Sequence, residues 1–403
     1  MAEGNHVEDY NQSKSAMRKI IHIDLDAFFC SVEELRDPSL GGKAFAVGGN
    51  PGQRGVIASC SYAARQFGVR SAMPTGTALR LCPELILVGS SHAHYGDYSK
   101  RVMTILERWS GLIEQVSIDE AFLDVSDLPE SGREIAQKIQ ASVKADVGLP
   151  CSLGIASSKL VAKIATDFGK AQHRTNKPPC AITEVPPGNE ADFLAPLPVD
   201  ALWGVGPKTK ALLGEWGITT IGDLAGQNEA EFSRRFGNYG SELILRARGV
   251  DASPVSPTRE MKSVSQETTF DKDTSDKRIL VETLRHLSQT VGRRLRADDK
   301  RGKTVKIKLR WPDFTTITRQ VSLEQPVDQD LMIFEAAQEL FEKEWSTGKK
   351  VRLIGVGVSG FYGTERQLPL WDNRGEKERR LMAAMDEIHE KFGRDAVHRG
   401  LED

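Results

Sequence analysis

The first strongly apolar run of the chain is a short predicted strand that ends in carboxylates. Residues 19–29, KIIHIDLDAFF, are rich in β-branched and aromatic side chains, which is typical of a strand buried on both faces. Asp24 and Asp26 are two positions apart and therefore point to the same face, where Leu25 offers only its backbone carbonyl. Burying a carboxylate without a partner is costly, so these acids indicate a metal ion or another charge.

A second apolar run carries another acidic pair about ninety residues later. In residues 114–125, EQVSIDEAFLDV, apolar positions flank Asp119 and Glu120 on both sides, and this pattern predicts a hairpin with the two acids at or near its tip. Adjacent strand residues normally point to opposite faces. A turn or bulge at this point would bring both carboxylates to one site.

The two acidic clusters together predict a divalent-metal site for phosphoryl chemistry. Mg²⁺ prefers hard oxygen ligands, and it commonly takes one or two carboxylates together with substrate phosphates. Two ions roughly 3.5–4 Å apart would activate an attacking hydroxyl and stabilise a leaving pyrophosphate. The competing interpretation is that each acid is a capping or salt-bridged residue, but four acids in two apolar settings favour the metal site.

The segment up to residue 184 predicts one catalytic core. Its order is strand, inserted αβ stretch, helix, hairpin, helix and strand, followed by a helix that starts near Ser158. This order predicts an antiparallel-rich α+β sheet with helices on one face. The predicted elements after the insertion are a helix at 95–109, the acidic hairpin, a helix at 132–147 and a strand at 151–156.

A proline-rich stretch at 185–198 marks a domain boundary, and a motif for anion binding follows it. Residues 202–225 predict two helices around turns, with the second opened by the sequence GVGPKT. Gly204 and Gly206 permit close backbone approach, Pro207 suits a first helical position, and the free amides there attract anions. With Lys208, the pattern matches a helix-hairpin-helix that clamps DNA phosphates, and a plain helical turn is the alternative.

The pattern of residues 263–361 predicts a βαββαβ domain. The predicted elements are strands at 264–270, 304–310, 315–322 and 351–359 and helices at 277–297 and 329–345. In the second strand Val305, Ile307 and Leu309 alternate with basic residues, so one face packs on the helices and the other is positively charged. We expect that face and the nearby arginines to follow a DNA backbone rather than form only a solvated face; the basic residues concerned are Arg293, Arg294, Arg296, Lys306, Lys308 and Arg310.

Composition narrows the class of protein. The chain has 403 residues, a net charge of −2, 39% hydrophobic and 27% charged residues, which fits a globular protein of two to four domains. It has no apolar run near ~20 residues and a polar start, so we expect neither a membrane span nor a signal peptide, and a cytoplasmic location. The five cysteines lack a C-x-x-C pair and predict reduced thiols rather than disulfides or zinc.

From Met17 to Trp371 the chain resembles the Y-family translesion DNA polymerases, most closely the bacterial DNA polymerase IV group. The resemblance rests on IDLDAFFCSVE, SYAARQFGVRSAMP, SIDEAFLDV, GIASSKLVAKIA and the hairpin motif, at residues 23–33, 61–74, 117–125, 154–165 and 204–209. It implies a right-hand polymerase of α+β class. The implied parts are a disordered tail at 1–16, a palm at 17–27 and 90–184, fingers at 28–89, a helical thumb at 185–257, a little finger at 263–361 and a C-terminal tail at 362–403.

The resemblance also implies roles for single residues. Asp24, Asp119 and Glu120 would bind metal with the Leu25 carbonyl, and Asp26 would be structural. The implied triphosphate contacts are Tyr62, Arg65 and Lys159, and the implied steric gate against ribonucleotides is Phe29. The implied peptide for a replication sliding clamp is QLPLW, with Gln367, Leu368, Leu370 and Trp371, although here about thirty residues follow it.

The function implied is low-fidelity, template-directed addition of deoxynucleotides to a primer by two Mg²⁺ ions, with Mn²⁺ as a substitute. Its partners would be primer–template DNA, deoxynucleoside triphosphates and the clamp, and the protein would be a monomer. The predicted domains use up the chain and leave no acidic cluster for a proofreading exonuclease. The alternatives are a nucleotidyl cyclase, whose palm uses similar paired acids, and a catalytically inactive DNA-binding scaffold.

Two features depart from the family pattern. The connection at 169–182, GKAQHRTNKPPCAI, is longer and more basic than the usual one between palm and thumb. His92 and His94 have the spacing of metal ligands, but a loop setting and the oxygen-rich site elsewhere argue against that role.

Overall fold

The computed structural model describes residues 18–50, 52–173, 175–258 and 260–362, together with several residues between 381 and 396. The predicted tail at 1–16 and the predicted clamp peptide at 367–371 lie outside the described residues. The chain divides into two compact units, Met1–Arg259 and Glu260–Asp403. Among the described residues, no helix has the length and apolar character needed to cross a membrane.

The first unit contains two sheets and eleven α-helices within the described residues. Its strands are β1 Ile20–Leu25, β2 Phe45–Gly48, β3 Ile57–Cys60, β4 Ile86–Val88, β5 Ile113–Gln115, β6 Glu120–Asp124, β7 Cys151–Ala156 and β8 Ile182–Glu184. Its helices are α1 Phe28–Arg36, α2 Tyr62–Gln66, α3 Thr75–Leu81, α4 His92–Leu106, α5 Gly132–Val147, α6 Lys159–Gln172, α7 Glu190–Leu194, α8 Pro207–Gly214, α9 Ile221–Ala225, α10 Glu229–Phe236 and α11 Asn238–Ala247.

The larger sheet has the order β5-β6-β1-β7-β8 and is antiparallel except between β7 and β8. Strand β1 is central, which explains why its sequence is apolar on both faces. The expectation of helices on one face only is wrong. Ile21 and Ile23 share a core with α4 and α5, whereas Ile20 shares a core with α6, because successive side chains of β1 point to opposite faces.

Helix α6 approaches the sheet closely at Gly154 in β7. A Cβ at Gly154 would lie 2.0 Å from the Ala162 carbonyl oxygen and 2.6 Å from the Thr166 nitrogen. Both of these neighbours are backbone atoms of α6, so they cannot rotate away. The glycine therefore sets the distance at which α6 presents its side chains to β1 and β6.

We expect Gly154→Ala to lower the stability of the first unit by about 3 kcal/mol or more, at the upper end of the cost of overpacking. Gly96→Ala is the matched control, because Gly96 lies within α4 and a Cβ there meets no heavy atom within 4 Å. That change should stabilise α4 by about 0.8 kcal/mol. Thermal unfolding of both variants checks the prediction, and equal midpoints would show that α6 does not depend on Gly154.

The smaller sheet has the order β3-β2-β4 and lies in the segment predicted as the fingers. Its core is limited to eight buried residues and includes Ala46, Ile57, Ala64 and Cys82. Helix α2 starts where the hydroxyl of Ser61 accepts a hydrogen bond from the Ala64 nitrogen. All five cysteines are free, and four of them are buried, in line with the prediction of mostly buried thiols.

The segment after β8 is helical and carries the predicted hairpin motif. Gly204 has a φ of 107°, which favours glycine, and Pro207 is the first residue of α8. Within residues 202–225 the motif opens the first α-helix, α8, so the prediction that it opens the second helix of that stretch is wrong. The 3₁₀ turn Val199–Ala201 lies just before this stretch.

The second unit has the predicted βαββαβ order. Its described elements are β9 Ser263–Thr274, α12 Lys277–Ala297, β10 Arg301–Arg310, β11 Thr316–Val327, α13 Asp330–Glu344 and β12 Val351–Tyr362. The sheet order is β11-β10-β12-β9, and each pairing of β10 and β12 is antiparallel. Val305, Ile307 and Leu309 are buried in one core with the apolar stripe of α12, as the alternation of β10 predicted.

Candidate active site

Strands β1 and β6 bring the two acidic clusters together. Asp24 lies directly opposite Glu120 in the antiparallel register, so their side chains share a face. Asp119 immediately precedes β6, and its carbonyl accepts a 2.9 Å hydrogen bond from the Leu25 nitrogen. The predicted hairpin is β5–β6, with Asp119 and Glu120 at its tip end.

Ser117 shapes the turn that carries Asp119 and Glu120. Its hydroxyl oxygen accepts a 3.1 Å hydrogen bond from the Glu120 nitrogen, and the hydroxyl donates to Asp119 Oδ1. A serine that bonds to a backbone two or three residues ahead stabilises a compact turn. This turn allows two adjacent acids to reach the same site, as the sequence pattern required.

Helix α6 faces the acids with a row of lysines. Lys163 Nζ lies 2.7 Å from Glu120 Oε2, and Lys170 Nζ lies 2.5 Å from Asp24 Oδ1. One turn earlier, Lys159 Nζ lies 2.6 Å from Glu114 Oε2. The spacing of four and seven residues places the three ammonium groups on one helix face.

These contacts shift the proton affinities of the acids in opposite directions. The imidazole of His22, together with Lys163, lowers the pKa of Glu120 to about 2. Burial, and then the nearby charges of Asp24 and Glu120, raise the pKa of Asp119. Burial alone would lower the pKa of Lys170, but Asp24 and Asp26 outweigh it and raise that pKa. The acids therefore form a concentrated negative site that the two lysines balance.

Asp26 is a structural residue. Its buried carboxylate accepts hydrogen bonds from the Ser152 hydroxyl, at 2.9 and 3.0 Å, and from the Cys180 nitrogen, at 3.0 Å. It shares the face of Asp24, because Lys170 Nζ also lies 3.4 Å from its Oδ1. The hydrogen bonds to Ser152 and Cys180 occupy both of its oxygens and connect β1 to β7 and to the segment before β8.

His22 lies on β1 beside Glu120, and the sequence pattern had given it no predicted role. Its Nδ1 lies 2.9 Å from the Thr166 hydroxyl, and its Nε2 lies 3.4 Å from Glu120 Oε2, a long contact that still favours the ionised form of Glu120 and lowers its pKa. Burial lowers the pKa of His22, which favours the neutral ring. The period-two spacing of His22 and Asp24 on β1 was the signal that could have found it.

The donors at this site fit a hard divalent cation. Asp24, Asp119 and Glu120 supply carboxylate oxygens only, which Mg²⁺ and Mn²⁺ accept. In the described part of the chain, no three His, Cys, Asp or Glu side chains already stand close enough together to hold an ion.

Tyr62 and Arg65 of α2 form a second part of the site. The Arg65 guanidinium lies 4.7 Å from the centroid of the Tyr62 ring, as their predicted shared helix face requires. The Tyr62 hydroxyl is buried, and within the described residues it has no hydrogen-bond partner. Tyr62 packs in the same buried core as Leu25, at the acidic end of β1, and burial, and then Asp26, raise the pKa of its hydroxyl.

Lys159, the predicted triphosphate contact on the palm, lies in a different environment. Besides Glu114, its ammonium group donates a 3.3 Å hydrogen bond to the Pro254 carbonyl. The lysine that lies beside both Asp24 and Asp26 is Lys170. Sequence reasoning missed Lys170 because it sits in the segment treated as an unusual linker, whereas the structure continues α6 to Gln172.

Phe29 is held in an aromatic cluster at the start of α1. Its ring stacks on Tyr95 at 4.3 Å between centroids, and His92 contacts it edge-on at 6.3 Å. The Tyr95 hydroxyl in turn donates to Glu33 Oε1 at 2.8 Å. The cluster fixes the position of the half-buried Phe29 ring, and it gives His92 an aromatic contact.

The predicted phosphate clamp is exposed at the start of α8. Gly204, Gly206 and Lys208 are all solvent-exposed, and Gly206 is the N-cap and has no side chain to occupy the first amides. The Tyr239 hydroxyl donates to the Gly204 carbonyl at 2.8 Å and holds the loop in place. The helix start therefore presents backbone amides to solvent, as an anion site requires.

The basic residues of the second unit lie in two separate groups. Lys306, Lys308 and Arg310 lie on the sheet face opposite the helices, where Lys308 pairs with Glu267 at 2.8 Å. The predicted arginine partners lie instead on α12, which packs on the other face. Arg294 Nη1 reaches the Ser265 carbonyl at 3.4 Å, and Arg293 also lies on this helix.

The Arg296 side chain is largely buried and ion-paired rather than exposed to solvent. Its guanidinium contacts Asp330 Oδ1 at 2.8 Å and Asp386 Oδ2 at 2.7 Å, and its side chain is 12% exposed. The leucine stripe places α12, with all three arginines, on the opposite side of the sheet from Lys306, Lys308 and Arg310. A DNA contact of Arg293, Arg294 and Arg296 stays a prediction.

Comparison with known proteins agrees with this geometry. The impB/mucB/samB family matches residues 23–167, its C-terminal domain matches 261–370, and the HHH motif of the IMS family matches 187–218. A curated DNA polymerase IV of Dehalococcoides mccartyi is 41% identical over 389 residues, which is 96% of this chain and 97% of the relative. The chain belongs to the Y family of DNA polymerases.

Other Y-family members support the same assignment. The DNA polymerase IV of Desulfatibacillum aliphaticivorans is 40% identical over 94% of this chain and 95% of its own length. The one from Listeria monocytogenes serotype 4b is 40% identical over 85% and 95%. A solved Y-family DNA polymerase chimera superposes with a TM-score of 0.74 at 26% identity, over 85% of this chain and 98% of the chimera.

Family membership makes the chain a DNA-directed DNA polymerase of translesion synthesis, with DNA and deoxynucleoside triphosphates as substrates. Such enzymes depend on divalent metal ions. The predicted class, a mixed α/β polymerase with a helix-hairpin-helix and a little-finger-like sheet domain, is confirmed.

Proposed function

We propose that nucleotidyl transfer takes place where Asp24, Asp119 and Glu120 meet Lys170 and Tyr62. The observation that carries this proposal is the buried Tyr62 hydroxyl, which has no partner among the described residues and lies near the acids. A buried polar group without a partner is costly, so a ligand oxygen is expected to satisfy it. A triphosphate that reaches the acids from the α2 side would do so.

The proposed metal ligands are the three carboxylates and the Leu25 carbonyl, and the proposed ions are two Mg²⁺, with Mn²⁺ as a substitute. When bound, such ions supply activation of a hydroxyl and charge stabilisation on phosphate oxygens. Lys163 and Lys170 hold Glu120 and Asp24 by ion pairs. These lysines balance the negative site and keep the acids oriented until the metal and the triphosphate arrive.

In this proposal Lys170, rather than Lys159, is the palm lysine for the triphosphate. Lys170 is 20% exposed and lies beside Asp24 and Asp26, and Arg65 stacks over the nearby Tyr62 ring. An ammonium group and a guanidinium fork on two sides suit phosphate oxygens. They would orient the α-phosphorus toward a primer hydroxyl, and positioning supplies much of the rate in phosphoryl transfer.

We expect Lys170→Ala to raise the KM for deoxynucleotides by about tenfold or more, because a charge-assisted contact to phosphate contributes roughly 1.5–3 kcal/mol. Steady-state single-nucleotide incorporation measures this. The control is Lys138→Ala on α5, which removes an exposed ion pair between Lys138 and Glu130. An unchanged KM in Lys170→Ala would show that Lys170 stabilises the fold and does not bind the triphosphate.

We also propose how the enzyme engages DNA and its other partners. Gly204, Gly206 and Lys208 would bind a DNA phosphate, and the face of Lys306, Lys308 and Arg310 would follow the backbone. Synthesis would be of low fidelity and without proofreading. The predicted clamp peptide, the monomeric state and a cytoplasmic location stay part of this proposal.

The proposed division of the first unit into palm, fingers and thumb rests on its two sheets and its helical segment. The larger sheet carries the acids, the smaller sheet with α1 to α3 carries Tyr62 and Arg65, and helices α7 to α11 carry the hairpin motif. Extension of a primed template by wild type and by Asp24→Asn tests the function as a whole.

A further inference from the structure

Residues 249–258, here named the exit segment, are the last described part of the first unit before its boundary at Arg259. Several contacts fasten this segment to the larger sheet and to α6. The Ser253 carbonyl accepts a 2.9 Å hydrogen bond from Arg18 Nη2, and Val255 is 5% exposed within the same core as α6. A connection between two units is usually exposed and mobile, so this degree of attachment is unusual.

Lys159 and Glu114 form the centre of the attachment. Their ion pair is 2.6 Å long, and the Lys159 side chain is only 10% exposed. Lys159 Nζ also donates to the Pro254 carbonyl at 3.3 Å, and Glu114 Oε2 also accepts from the Ser256 nitrogen at 3.0 Å. Each member of the pair therefore holds one backbone group of the exit segment.

Asp251 fastens the other end of the exit segment to the start of α6. Its Oδ2 accepts a 3.0 Å hydrogen bond from the Leu160 nitrogen, and its Oδ1 accepts from the Ser253 nitrogen at 3.0 Å. A carboxylate at a helix N-terminus is favourable because it satisfies a free amide and complements the helix dipole. The helix that carries Lys163 and Lys170 thus also carries the attachment.

We propose that Lys159 and Glu114 are positioning residues that fix the point at which the chain leaves the catalytic unit for the second unit. The second unit contains the proposed DNA-binding face, so the length of free chain before β9 sets its effective concentration at the DNA. With the attachment intact, residues 257–262 connect the last anchor to β9. Without the pair, Ser253 is the last hydrogen-bonded anchor, so residues 254–262 connect it to β9. A connection half as long again lowers the effective concentration by about twofold.

The test compares Lys159→Met and Glu114→Gln with wild type and with Lys159→Arg, which keeps the charge opposite Glu114. Three quantities are measured: the Kd for primer–template DNA, the deoxynucleotide KM and kcat at saturating DNA, and the rate of trypsin cleavage after Arg259 and Lys262. We expect Lys159→Met to bind DNA about twofold more weakly and to be cleaved faster between the units, with Glu114→Gln, which keeps an acceptor for the Ser256 nitrogen, between it and wild type. Their KM and kcat should equal those of wild type, and Lys159→Arg should restore binding.

Two results would overturn the proposal. A tenfold increase in KM for Lys159→Met with a normal Glu114→Gln would make Lys159 a triphosphate contact, as the sequence suggested. Unchanged DNA affinity and cleavage in folded Lys159→Met would show that the pair does not position the exit segment. Glu114→Ala removes the acceptor of the Ser256 nitrogen and carries the same test where Lys159→Met does not fold.

Discussion

Asp119→Asn should reduce the rate of primer extension by about a hundredfold to a thousandfold, while the protein stays folded and binds primed DNA. The magnitude follows from the loss of a group that stabilises charge in the transition state, which typically costs 10²- to 10³-fold for one hydrogen-bond donor. Asparagine keeps the shape and the Ser117 contact but cannot supply a carboxylate. Single-turnover incorporation with the DNA prebound measures the chemical step without the binding step.

The stability of Asp119→Asn should match or exceed that of wild type in the absence of metal. Asp119 is partly buried beside Asp24 and Glu120, and burial and these like charges raise its pKa. Removing the charge relieves this repulsion. Asp124→Asn is the matched control, because Asp124 lies at the other end of β6, opposite Ile20, and its loss should leave the rate unchanged.

Phe29→Ala should allow ribonucleotide incorporation and lower the preference for deoxynucleotides by about a hundredfold or more. An aromatic ring that rejects one hydroxyl group by a steric clash contributes several kcal/mol, more than the 1–3 kcal/mol that a hydrophobic pocket gains from one methylene. The ring is rigid because it stacks on Tyr95. The ratio of kcat/KM for dNTP to that for the matching rNTP measures the effect.

Phe67→Ala provides the control for this experiment. Phe67 also belongs to the smaller-sheet segment, but it is 54% exposed and outside the aromatic cluster. Its loss should leave sugar selection as it is in wild type. If Phe29→Ala keeps the wild-type preference while its thermal midpoint is unchanged, Phe29 is a packing residue and another group selects the sugar.

Local signals predicted those parts of the fold that local chemistry determines. Helices α5 and α12 begin and end where they were predicted, because Ser131 and Asp276 cap their first turns. The alternation of apolar and basic residues in β10 predicted its buried and basic faces, because successive side chains of a strand point to opposite faces. The placement of helices around the larger sheet depends on nonlocal packing, and it was predicted wrongly.

The carboxylates of the site could be predicted from sequence, but their counterions could not. An acid in an apolar strand is unusual enough to be noticed alone, whereas a lysine on an amphipathic helix is ordinary. Lys163 and Lys170 become significant only because Gly154 lets α6 approach the sheet. The position of Lys159 beside the exit segment depends on chain about ninety residues later, which no local pattern reveals.

The central claim is that this chain adds deoxynucleotides to a primer at the site of Asp24 and Glu120. The most direct measurement is single-nucleotide incorporation opposite each of the four template bases, with pyrophosphate release and DNA binding followed in parallel. It should be made with wild type and with the Asp24→Asn/Glu120→Gln double variant. We predict that wild type prefers the complementary nucleotide and releases one pyrophosphate per addition, and that the variant binds DNA without extension. Pyrophosphate release without a primer, or DNA binding without extension by wild type, would contradict the account.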